Sequence, residues 1–126
     1  MRGTIGDVCI FTSPFYDNAN NRNSFKKRPA LIIGIADTDD YNVLPVSTVT
    51  RRKNIDPVYD IPVNHFAYNN LNLSFSSFIR VHKQTVFHDG ALHKVLSNMK
   101  SLYPELYLSV IAKLEEYNKK LIENTL

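Results

Sequence analysis

Three consecutive cations, Lys26, Lys27 and Arg28, stand immediately before Pro29 and the apolar run Ala30-Leu31-Ile32-Ile33. A guanidinium offers several donors in a fixed fork to phosphate oxygens, and lysine is a poorer substitute, so Arg28 is the one best suited to offset charge on a phosphoryl group. It stays protonated in practice, which makes charge stabilisation its first task. Ser47 and Thr48 carry hydroxyls that position an anion but are not basic enough alone to activate another hydroxyl. Later, Arg80 and His82 lie two residues apart, and an imidazole, whose unperturbed pKa is near neutrality, is the best proton carrier in this set. Each has a plainer alternative. Arg28 can be a surface cation bounding a strand, Ser47 and Thr48 ordinary strand-end hydroxyls, and His82 a structural or solvated side chain.

For these groups to act together, particular elements must carry them. Leu31, Ile32 and Ile33 are apolar on both faces of any strand they form, which predicts a central strand. Pro29 has no N–H and biases Arg28 toward extended backbone, as suits the first position of such a strand. Asp37-Thr38-Asp39-Asp40 marks a turn, and Tyr41 to Thr48 reads as the next strand. So short a connection predicts an antiparallel hairpin that returns Ser47 and Thr48 to the side of Arg28.

Around that hairpin, Gly6 to Phe11 reads as a first core strand, and Thr12 to Phe25 as a long polar loop rich in asparagine, functional or merely a solvated hairpin tip. Asn21 and Arg22 lie in it, with Phe15, Tyr16 and Phe25 either offered for stacking or closing the loop onto the core. Arg51-Arg52-Lys53 is a basic run, ordinarily solvated but able to guide a polyanion. Val58 to Val63 is a strand that Pro62 confines to an edge or a bulge. His65 to Leu73 is a polar connection, and Ser77 to His82 a strand with Phe78, Arg80 and His82 on one face, which Thr85 to Phe87 can continue. Leu92 to Met99 fits a strand or a helical turn. From Pro104, Leu106, Val110, Ile111, Leu114, Tyr117, Leu121 and Ile122 follow the spacing of an amphipathic helix, with Glu115–Lys119 and Glu116–Lys120 as i,i+4 pairs.

The 126 residues, 44% of them hydrophobic, suit a single domain spanning 1–126, mainly β with α: about six short strands in a small, strongly bent sheet or barrel closed by the C-terminal helix. Cys9 is the only cysteine, so no intrachain disulfide can form, and it sits among apolar neighbours as a buried thiol does. With no apolar signal region and no apolar run near the ~18 residues of a membrane span, a cytoplasmic protein without membrane contact is expected. Net charge is +3, and the first hundred residues hold 12 basic and 8 acidic side chains against 3 Lys and 4 Glu in the last 26. That asymmetry favours an anionic partner, nucleic acid before membrane. His82, His88 and His93 match no usual zinc spacing, so neither metal nor cofactor is expected.

Gly6-Asp7-Val8, Lys27-Arg28-Pro29-Ala30-Leu31-Ile32-Ile33, Leu44-Pro45-Val46-Ser47-Thr48, Leu71-Asn72-Leu73 and Phe78-Ile79-Arg80-Val81, in that order and at those separations, resemble the MazF/PemK family of toxins from bacterial toxin–antitoxin pairs. The likeness spans about residues 5–115; no single motif is specific, and the ordered set carries it. It implies a homodimeric SH3-like barrel that cuts single-stranded RNA without a metal and is held inactive by a cognate antitoxin, meeting DNA only indirectly through that partner. It also implies a functional arginine at Arg28, with proton donation as a further role, a functional hydroxyl at Ser47 or Thr48, and a basic residue at Arg80. Where many relatives have an aspartate, this chain has His82, which becomes the candidate acid or base. Lys26, Lys27, Asn21, Arg22, Arg51 and Arg52 are the candidate RNA-binding residues. A gyrase poison of the CcdB type shares the fold, but its relatives end in Trp-Gly-Ile, and this chain has no tryptophan and ends Glu123-Asn124-Thr125-Leu126. A non-catalytic SH3-like binding module is the third possibility.

Overall fold

Alternation along the first three strands explains why their sequences are apolar on both faces. The structure, a computed structural model, describes residues 2–126. In β1 (Asp7–Asp17), β2 (Arg22–Asp37) and β3 (Asp40–Ser47), Val8, Leu31 and Leu44 face one core, which α2 (Pro104–Thr125) covers, while Cys9, Ala30, Ile32, Tyr41 and Val43 face a second. Leu31 and Ile32 are fully buried, as expected of a central strand. The second core is built on rings: Phe11 stacks on Phe87 at 4.8 Å and meets Tyr41 edge-on at 6.1 Å.

Seven antiparallel strands, not about six, form a curled half-barrel sheet in the order β4-β5-β3-β2-β1-β7, with β6 also on β3. Here β4 is Asp60–Val63, β5 Ser77–Arg80, β6 Thr85–His88 and β7 Leu92–Asn98. β4 is an edge strand, as Pro62 predicted, and the open choice at Leu92 to Met99 resolves as β7 followed by the short helix α1 (Met99–Leu102). Asn98 caps α1, its side-chain oxygen accepting the Ser101 amide at 2.9 Å.

Three expectations are corrected. Thr12 to Phe25 is not a loop: its two halves pair residue by residue from Thr12↔Lys27 to Asp17↔Arg22, leaving only a tight tip in which Asn21 takes φ 49. Polar side chains are compatible with this because the arm is a two-stranded ribbon, where backbone pairing and not burial sets the structure. Second, the strand expected over Ser77 to His82 stops at Arg80. Val81, fully buried, turns the chain into a 3-10 turn, Val81–Lys83, and gives its N–H to Tyr59 O at 3.0 Å, so β6 is a separate strand. Third, the ion pair within α2 is Lys113–Glu116 at 3.1 Å and not either i,i+4 pair, among the described residues.

The helix matches its predicted stripe only in part. Leu106, Tyr107 and Val110 are buried and Tyr117 meets Tyr59 edge-on at 5.0 Å, whereas Leu121 and Ile122 are 50% and 59% exposed. No described helix is long and apolar enough to cross a membrane.

Candidate functional site

Two prolines open the site. The β2–β3 ladder runs down to Ala30↔Pro45 and stops, and neither Pro45 nor the next residue of β2, Pro29, has an N–H to carry it on. β3 then pairs with β5 through Val46↔Ile79 and Ser47↔Phe78. Arg28 and Ser47 stand two residues beyond the last rung, on strands that have begun to part. Between them lies a cavity of about 660 Å³.

Lys26, Lys27 and Arg28 enter this cavity from β2, Ser47 and Thr48 from the end of β3, and His93 and Lys94 from β7. The segment from Asn72 to Phe75 forms a further wall, with Phe75 67% exposed. Arg28, Ser47 and Thr48 also line a second cavity of about 470 Å³, together with Asn54, Arg80 and Lys83. No carboxylate lines either cavity among the described residues. Such a collection of cations with hydroxyls between them suits an anion with several oxygens. The convergence of Arg28 with Ser47 and Thr48, expected from the hairpin, is therefore present.

Arg80 reaches the second cavity, but its guanidinium is already engaged. Its Nε donates to Asp60 Oδ1 at 3.0 Å, and one terminal nitrogen donates to Asp60 Oδ2 at 3.3 Å and to Asn54 O at 2.8 Å. The Asp60 side chain is fully buried and also accepts the Asp56 amide at 2.8 Å. This cluster ties β4 and β5 to the segment after β3 that bears Arg51 and Arg52.

His82 does not share a strand face with Arg80. It lies on the 3-10 turn after β5, lines neither cavity, and its Nδ1 is buried without a hydrogen-bond partner among the described residues, 3.7 Å from Asp60 Oδ1. The reason is Val81, whose burial rotates the next residue away from the direction a continued strand would give it. Asn21 and Arg22 are exposed at the tip of the β1–β2 arm, and Arg51 and Arg52 are exposed at the start of a 3-10 turn, Arg52–Asn54; none of the four lines either cavity. Lys26 and Lys27 do. The arm's aromatics do not close onto the core: Phe15, Tyr16 and Phe25 are 38%, 55% and 70% exposed.

Residues that sequence reasoning did not select include His93, Lys94, Phe75 and Lys83. The alternation Leu92-His93-Lys94-Val95 carried no signal for the first two, because their placement depends on how β7 is paired with β1. Cys9 is no candidate nucleophile: burial, with a further push from the Asp7 carboxylate, raises its thiol to about 12. Asp56, near the Arg80 cluster, is held below the usual carboxylate range by amide hydrogen bonds from Tyr59 and Val58. No model of a known protein family and no curated protein matches the chain.

Proposed function

We propose that this chain is an endoribonuclease of the MazF/PemK kind, the toxin of a toxin–antitoxin pair, which cuts single-stranded RNA without a metal. The observation that carries the reading is the meeting of Arg28 with Ser47 and Thr48 at the parted ends of β2 and β3, in a cavity lined by cations. The finer description of the half-barrel as SH3-like belongs to this reading, as do a homodimeric, cytoplasmic form and inhibition by a cognate antitoxin.

Cleavage without a metal requires that the 2′-hydroxyl attack the adjacent phosphorus, that charge on the phosphoryl oxygens be offset, and that the 5′-oxygen leave with a proton. Arg28 supplies the second requirement, as fixed positive charge beside the reacting phosphate. Ser47 or Thr48 holds a phosphoryl oxygen in line. Lys26, Lys27 and Lys94 grip the neighbouring backbone, a sequence-independent and salt-sensitive contribution. Phe75, exposed at the cavity's edge, offers a face for an unstacked base, which a duplex cannot present.

The test is incubation of purified protein with single-stranded RNA in excess EDTA, followed by analysis of the product ends. Products with a 2′,3′-cyclic phosphate and a 5′-hydroxyl are expected. RNA left intact at high protein concentration overturns the reading in favour of a binding module or a poison acting on a protein.

A further inference from the structure

β7 reaches the larger cavity through a defect in its pairing. On β1 the partner of Ile10 is Lys94 and the partner of Phe11 is Leu92, so His93 is an extra residue without a partner. A bulge of this kind bends its strand and re-aims a side chain, and bulges concentrate beside active sites. In a regular strand His93 and Lys94 would point to opposite faces. Here both line the cavity.

His93 is the only histidine lining that cavity among the described residues, and it is exposed, within reach of a bound molecule. Its Nε2 lies 3.2 Å from Lys27 Nζ, which reaches it from β2 across β1. An ammonium has donors and no acceptor, so as a hydrogen bond this contact has Lys27 Nζ donating and Nε2 accepting. The Nε2 lone pair is thus turned toward the very cation that a phosphate would claim. The charged groups facing His93 are Lys26, Lys27 and Arg28 on β2 and Lys94 on its own strand. With no carboxylate among the described lining residues, the imidazole is the one lining group of a type that ordinarily exchanges a proton near neutral pH.

We propose that His93 is the general base of the cleavage, masked by Lys27 until substrate arrives, an inference that rests on the RNA-cleaving reading of this cavity. An entering phosphodiester draws the Lys27 ammonium onto its oxygens and frees Nε2. The 2′-hydroxyl proton passes to Nε2 as the bond between the 2′-oxygen and phosphorus forms. The bond from phosphorus to the 5′-oxygen breaks, and that oxygen takes a proton from water in the open cavity. Protonated His93 then returns its proton to solvent, leaving a cyclic phosphate and a 5′-hydroxyl.

The experiment compares wild type, His93→Ala, His93→Gln and Lys27→Met for cleavage of single-stranded RNA in EDTA, from about pH 5 to about pH 9, the range in which imidazoles titrate. Values of kcat and KM are separated, and thermal melts check folding. His93→Ala should lower kcat on the order of a hundredfold, the lower range for losing a general base, with KM little changed. The acid limb of the wild-type kcat profile should disappear, and added imidazole should restore part of the rate. His93→Gln keeps an acceptor for Lys27 and so protects the fold, yet should be as slow, because an amide takes up no proton. Lys27→Met should raise KM and retain the acid limb. If His93→Ala and His93→Gln cut at the wild-type rate with the wild-type pH profile, the assignment of His93 is overturned while RNA cleavage stands. Wild type that leaves RNA intact overturns the cleavage reading, and this assignment with it.

Discussion

Replacing Arg80 separates chemistry from architecture, because the resemblance implies a basic site residue there whereas its guanidinium is bound to Asp60. Arg80→Ala leaves a carboxylate whose side chain is fully buried, with the Asp56 amide as its remaining hydrogen-bond donor and His82 Nδ1 3.7 Å away. Removing one partner of a buried ion pair costs about 3–5 kcal/mol. Two features put this case at the low end, near about 3 kcal/mol: the Arg80 side chain is 20% exposed, and Asp60 keeps a backbone donor. In a chain of 126 residues that corresponds to a fall in Tm of roughly 10 °C. Thermal melts followed by circular dichroism measure it, with cleavage assayed well below the variant's midpoint. The expected result is a lower Tm and cleavage within about tenfold of wild type, a smaller loss than a charge stabiliser gives. In a double-mutant cycle, Asp60→Ala and Arg80→Ala should couple by more than about 0.5 kcal/mol. An unchanged Tm with cleavage abolished would refute the reasoning: Arg80 would then act on the RNA, and its bond to Asp60 would be incidental.

Arg28→Ala should lower cleavage on the order of a hundredfold or more while leaving stability within about 0.5 kcal/mol, since the side chain is exposed. Full activity in that folded variant would place the reacting phosphate elsewhere. Ser47→Ala and Thr48→Ala, assayed separately, should show one large and one small loss of cleavage, identifying the positioning hydroxyl; two unaffected variants would remove both from the site. The Cys9 thiol, raised to about 12 chiefly by burial, should resist iodoacetamide in the native chain at about pH 8 and react only on unfolding. Asp89 is held below its ordinary value of 3.8, first by the Tyr41 hydroxyl and then by the Arg2 amide. A carboxyl depressed in the folded state contributes stability above its unfolded pKa and loses it as pH falls through the folded one. Tyr41→Phe should therefore flatten the fall in stability below about pH 4, as read by chemical denaturation at a series of pH values.

What was legible in the sequence was what short-range chemistry decides. The turn at Asp37 to Asp40 and the apolar runs flanking it were enough to bring Arg28 to Ser47 and Thr48, because a hairpin needs no information from elsewhere in the chain. Pro29 was read as opening a strand and Pro45 as lying within one, so the failure of the ladder between them emerged only from the pairing, and the cavity that results needed β7 as well. The arm from Thr12 to Phe25 was hidden because its polar residues pair through the backbone, which leaves no hydrophobic alternation to detect. His82 was misplaced because a buried Val81 overrode a period of two. Asp60, twenty residues from Arg80, had no local signal as its partner. His93 was the least visible of all, since a bulge is a property of two strands and not of one.

Beyond Thr12 the β1–β2 arm is paired, among the described residues, with nothing but itself, and Lys26 to Arg28 stand near its root. Its length is therefore free to vary in evolution or by design, but only under a parity rule. Removing a matched pair such as Pro14 and Phe25 shortens the ribbon and leaves the register at Phe11↔Arg28 untouched. Removing one residue from β2 alone between Ser24 and Lys27 slips the pairing by one on the tip side of the gap and turns those β2 residues to the other face, while Lys27 and Arg28 keep the register that Ala30 holds. Insertions and deletions in this arm should accordingly accumulate as compensated pairs, with the tip diverging freely and the root counted residue by residue.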